Sequence, residues 1–140
     1  MNISFENKHP FLDVPIDHKT SSWLINTVHK EDFHLGKLHY TFLNDADLHQ
    51  MNVKFLQHDT YTDIITFDYN QQSFVIGEIY ISLDRVKENA QNTNVDFIHE
   101  LHRVLIHGLL HLMGYQDKSL KEKSIMTSKE DYYLSLLPRK

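Results

Sequence analysis

Apolar positions along this chain switch between two periods, and each switch marks an element. Ile3-Ser-Phe5 alternates like a short strand. From Asp17 to about Glu31, Trp23, Leu24, Thr27 and Val28 gather on one side of a helix, with Asp17 as its N-cap. His34 to Leu43 alternates around Leu38, Tyr40 and Phe42, which predicts a strand. Asn44-Asp45 then opens a helix carrying Leu48, Met51, Phe55 and Leu56. Two strands follow, the β-branched and aromatic run from Thr62 to Asp68 and the alternation from Phe74 to Ser82. The polar Asn70-Gln-Gln-Ser73 between them predicts a hairpin turn. Ser82-Leu-Asp84 starts a helix to about Asn92, Val95 to Met113 is the longest helical segment, and Leu120 to about Leu137 is a final one. The predicted class is α+β: a single mixed β-sheet packed against several α-helices, in one domain over residues 1–140.

Composition narrows the chemistry. There is no cysteine, which excludes disulfides and thiolate metal ligands. No apolar run reaches the roughly 18 residues of a membrane span, and no basic-then-apolar leader opens the chain, so the expectation is a cytoplasmic protein with no membrane partner. The net charge of −5 argues against bulk electrostatic binding of nucleic acid, so any basic surface must be local. Of the 11 histidines, His9, His18, His29, His34, His39, His49 and His58 stand apart from one another and read as surface polar residues.

His107 and His111 are different. Four residues apart on a helix, they share a face and can hold one ion. Their surroundings, Leu105-Ile-His-Gly-Leu-Leu-His-Leu-Met, are otherwise apolar, and burying two unpartnered imidazoles there costs about 1–3 kcal/mol each. Gly108 between them costs about 1 kcal/mol of helix propensity against Ala, so something must approach that backbone closely. Gly114 suits a left-handed helix stop, after which the chain can return Asp117 to the same ion. Two imidazoles and a carboxylate leave a fourth position open, as in catalytic zinc sites. This places the metal site on a core helix and its C-terminal turn. His99, Glu100 and His102, upstream, read as an exposed polar face.

The run from His107 to Tyr115 resembles the signature of the YbeY family of bacterial rRNA-maturation endoribonucleases, H-G-x-L-H-L-x-G-Y-D-H, whose three histidines hold zinc. Asn52 followed by Thr62-Asp-Ile-Ile-Thr-Phe67 is similar to the family's N-x9-T-D-V-L-S-F block, and Ile76-Gly-Glu-Ile-Tyr-Ile-Ser82 to its L-G-D-I-x-I-S strand. Two positions depart. Asp117 stands where the family has its third histidine, and Leu56 where many members carry an arginine. An aspartate is harder than a histidine and widens metal choice toward manganese or nickel.

The resemblance implies a single-strand-specific, metal-dependent endoribonuclease acting on rRNA precursors or the ribosomal subunit. Its expected roles are small-subunit rRNA 3′ end maturation and ribosome quality control. It also implies one divalent ion, zinc, on His107, His111 and Asp117, with no organic cofactor. Glu78, in the family strand, is the candidate catalytic carboxylate. RNA-binding residues are unassigned. Lys54, Arg85, Arg103, Lys118, Lys121 and Lys123 are the cations nearest the motifs, and each reads first as a solvated charge. Two rival readings are a non-catalytic ribosome-assembly factor stabilised by its metal and a metalloprotease of H-x3-H-x2-G-x2-D type. The latter lacks the glutamate that should follow His107.

Overall fold

The computed structural model describes residues 2–56 and 62–137. Strands β1 (Ile3–Asn7), β2 (His34–Leu43), β3 (Ile64–Asp68) and β4 (Phe74–Ser82) form one mixed sheet in the order β1-β2-β4-β3. β2 pairs in parallel with both β1 and β4, while β3 pairs antiparallel with β4. The helices are α1 (His18–Lys30), α2 (Asp45–Leu56), α3 (Leu83–Thr93), α4 (Phe97–Leu112) and α5 (Leu120–Ser135). Expected boundaries shift by one or two residues at several ends, and His58 lies outside the described residues.

Alternation along the strands assigns the layers. Leu38, Tyr40 and Phe42 of β2 and Val75, Ile79 and Ile81 of β4 form one core with Trp23 and Leu24 of α1, Leu83 of α3, Leu105 of α4 and Met126 of α5. On the other face, Leu43, Ile65, Phe67 and Tyr80 take Leu48 and Met51 of α2. α4 is the central helix. Leu101, Leu105, Ile106, Leu109 and Leu110 are fully buried, and each such burial contributes about 1.5–3 kcal/mol, which outweighs the propensity cost of Gly108. That glycine lets the sheet close in: a Cβ there would meet Ile64 Cδ1 at 2.8 Å and Ile79 at 3.1 Å. Gly77 answers it from β4, where a Cβ would lie 2.6 Å from Leu112 Cδ1. The buried Tyr40 hydroxyl donates to Leu105 O at 2.8 Å and ties β2 to α4.

Two histidines differ from expectation. His102 is buried, not on an exposed face, because α1 packs over that side of α4. Its Nδ1 donates to Ile98 O at 2.8 Å, its Nε2 accepts from the Thr20 hydroxyl at 3.2 Å, and burial lowers its pKa. The His9 side chain is also enclosed rather than at the surface. Its Nδ1 accepts from the backbone N–H groups of Phe11 and Leu12, and its Nε2 donates to Asp84 Oδ1 at 2.8 Å. Hydropathy scores both rings as polar, but folding supplies each with partners that periodicity does not reveal.

Candidate metal centre

On α4, four half-buried polar side chains form a stripe. Glu100, Arg103, His107 and His111 follow i, i+3, i+7, i+11 and are half-buried. The helix ends beyond them in a Schellman motif, with Gly114 N–H bonded to His111 O at 3.0 Å and Tyr115 N–H to Leu110 O at 3.1 Å. Gly114 has φ of 101°, a left-handed conformation with open space around it, so backbone geometry rather than crowding requires glycine. The reversal returns Asp117 to the histidine pair.

The three ligand atoms converge. His107 Nε2 and His111 Nε2 are 2.9 Å apart, and Asp117 Oδ2 lies 3.3 Å from the first and 3.4 Å from the second. A tetrahedral zinc with bonds of about 2.1 Å sets neighbouring ligands about 3.4 Å apart. Hydrogen bonds to the opposite ring nitrogens fix the tautomers. His111 Nδ1 donates to the Tyr115 carbonyl at 2.9 Å, and His107 Nδ1 donates to Glu130 Oε2 at 2.5 Å. Both Nε2 atoms therefore present lone pairs, to each other and to a carboxylate. Three mutually repelling acceptors in one place fit a cation among them. The donor set of two nitrogens and one oxygen suits a divalent ion of borderline softness.

Glu130 is the residue that sequence reasoning missed. It is buried on α5, and its second oxygen accepts from Arg103 at 2.7 Å, while Arg103 also bonds Asp131 at 2.7 Å. Burial works against a charged His107 ring, but the Glu130 hydrogen bond and the carboxylates of Glu130, Asp117 and Asp63 outweigh it and raise the ring's pKa. Glu100 is half-buried rather than exposed. Desolvation, with Asp63 and Glu130 adding repulsion, raises its pKa against the pull of Arg103 and His99.

Glu78 does not join the site. Its neighbours Gly77 and Ile79 face α4, so Glu78 points from the other side of β4, where Tyr69 OH donates to it at 3.3 Å. Arg85 is paired with Asp45 and Arg103 with two carboxylates, which leaves neither as a free cation. The position after His107 is filled by the packing of Gly108 against Ile64 and Ile79, so a protease-type glutamate has no room there.

A family model described as Endoribonuclease YbeY matches residues 2–138. The chain belongs to the YbeY family. A Cytophaga hutchinsonii protein named Endoribonuclease YbeY is 53% identical over 116 residues, covering 82% of this chain and 81% of its own length. A Flavobacterium johnsoniae protein of the same name is 41% identical over 133 residues, covering 95% and 89%. The solution structure of TM1509 from Thermotoga maritima matches with a TM-score of 0.69 at 29% identity, covering 96% of this chain and 88% of that one. Within this YbeY-family chain, Leu56 is an exposed residue at the end of α2.

Proposed function

We propose that this chain is a metal-dependent endoribonuclease that cuts single-stranded RNA. Its substrate is an rRNA precursor, at the 3′ end of the small-subunit rRNA, and its ion is zinc on His107, His111 and Asp117. The observation that carries the reading is the convergence of three acceptor atoms within 4.8 Å of one another at the end of a core helix. When bound, the ion supplies Lewis acidity to a phosphodiester and to the oxygen that attacks it. The protein's part is to hold that centre in place. Glu130 keeps the proton of a neutral His107 on Nδ1, and the Tyr115 carbonyl does the same for His111, so Nε2 is the nitrogen that each neutral ring offers to an ion. Arg103 neutralises Glu130, which lets a buried carboxylate do this without an unpaired charge. Glu100 lies two turns upstream on the same face, and desolvation raises its pKa, with Asp63 and Glu130 adding to the rise, which makes it the carboxyl of this face that holds a proton more readily than an exposed one.

The test is cleavage of a labelled single-stranded RNA spanning a small-subunit rRNA 3′ junction. Wild type should cut, lose activity to a chelator and regain it with zinc, while His111→Ala purified in parallel should not cut. Equal cutting by both proteins, or no cutting by either, rejects the proposal.

A further inference from the structure

The seam between α1 and α5 is unlike the rest of this acidic chain. Two cavities open along it, of about 570 and 300 Å³, and they share Lys30 and Tyr133, so together they form one furrow. Lys19, Lys30 and Lys129 line it against a single carboxylate, Glu31, which Lys129 already pairs at 3.0 Å. Ser22, Asn26, Ser124 and Ser128 add neutral hydrogen-bonding groups along its walls. Tyr132 stands 48% exposed at the rim of the larger cavity, its ring braced at 71° against Tyr133 with centroids 4.9 Å apart.

The floor is rigid and reaches the metal turn. Trp23 Nε1 donates to Tyr133 O at 2.7 Å, and Glu31 accepts from the hydroxyls of Tyr133 and Tyr115. The backbone carbonyl of Tyr115 is the group that holds His111 Nδ1. Tyr115 therefore links Glu31, which lines the furrow, to the metal centre.

We infer that the furrow between α1 and α5 is the track for single-stranded RNA running from the metal centre, with lysines meeting phosphates and Tyr132 stacking on a base. This rests on the ribonuclease reading. A basic groove beside an aromatic platform is how single strands are bound without sequence preference. The protein groups around the metal centre are mostly acidic, Asp63, Glu100, Asp117, Glu130 and Asp131 against Arg103, so side-chain attraction for the phosphates of a strand beyond the scissile one must come from elsewhere. An acidic peptide would suit the lysines but has no unstacked base to offer Tyr132.

The experiment is fluorescence polarisation of the full metal-loaded chain with a dye-labelled single-stranded oligoribonucleotide over a range of salt. Tyr132→Ala should weaken binding about tenfold. Lys30→Gln should make the slope of log affinity against log salt shallower by about 0.7. Lys37→Gln, an exposed cation on the opposite sheet face, should change neither. Lys30 and Tyr132 are exposed, and circular dichroism of each variant checks that it folds. In parallel, a 4-thiouridine photocrosslink should map to α1 or α5. Wild-type binding by both furrow variants, absence of binding by the wild type, crosslinks only elsewhere, or equal displacement by polyglutamate overturns the inference. A wild type that cuts RNA but binds it independently of the furrow leaves the ribonuclease reading standing. Furrow-dependent binding without cutting does the reverse.

Discussion

Glu130 works with both oxygens, one on His107 Nδ1 and the other on Arg103. Glu130→Gln preserves the shape but presents a weaker, neutral acceptor to the ring. Metal affinity should fall about 10–100-fold, measured by competition with a chromogenic chelator, and unchanged affinity would remove the positioning role. His107 and His111 were legible in the sequence because two imidazoles at i, i+4 inside an apolar helix are costly without a shared partner. Asp117 was legible through the glycine turn that returns it. Glu130 was not: it lies 23 residues beyond His107 on a different helix, and a lone glutamate in a polar stretch carries no local sign of burial. Glu78 lies apart from this group for the complementary reason. A motif gives its place along a strand, but the parity of the pleat puts it on the face away from α4.

Elements followed from the chain because each burial pattern has its own period, and β2 and β4 begin and end where the alternation does. Their order in the sheet did not. Two parallel pairings depend on how α1 and the α2–β3 segment cross over, and no single segment encodes that. At this scale the α4 terminus makes a direct prediction. Gly114→Ala forces a Cβ into a left-handed conformation with no clash to relieve, so it should cost about 1 kcal/mol in urea unfolding. Gly108→Ala instead overpacks against Ile64 and Ile79 and should cost about 1–3 kcal/mol. The α1–α5 junction adds a pH dependence. Burial opposes ionisation of Glu31, but hydrogen bonds from Tyr115, Tyr133 and Lys129 prevail and hold its pKa below the usual 4.5. Its stabilisation is therefore complete above pH 4.5 and lost as pH falls through the depressed value. In urea titrations across that range, Glu31→Gln should be less stable than wild type near neutrality, with the gap closing in acid. A gap of constant size would refute the linkage.

For the molecule as a whole, an ion on His107, His111 and Asp117 should be a stabiliser even though these ligands lie near the surface. Its ligands bracket the end of the central helix and the turn to α5, and none is in place in an unfolded chain. At a free ion concentration a hundredfold above Kd, the folded state gains about 2.7 kcal/mol. Chelation should therefore lower the Tm of wild type by several degrees in scanning calorimetry, while His111→Ala should respond far less. Charge is also organised at this scale. A chain of net charge −5 gathers several carboxylates around the candidate metal centre and holds a lysine-lined seam beside α1.

The late position of α4 has a consequence during synthesis. All four strands have been made by Ser82, but the helix that covers their inner face is not finished until Leu112. At about 5–20 residues per second, the nascent sheet stays open for a few seconds. Asp117 and Glu130 come later still, so the ion finds its complete setting only on a nearly finished polypeptide. Metal capture would thus double as a sign that translation has run through the core, and a chain interrupted before α4 would leave the inner face of the sheet without its central helix and hold no ion.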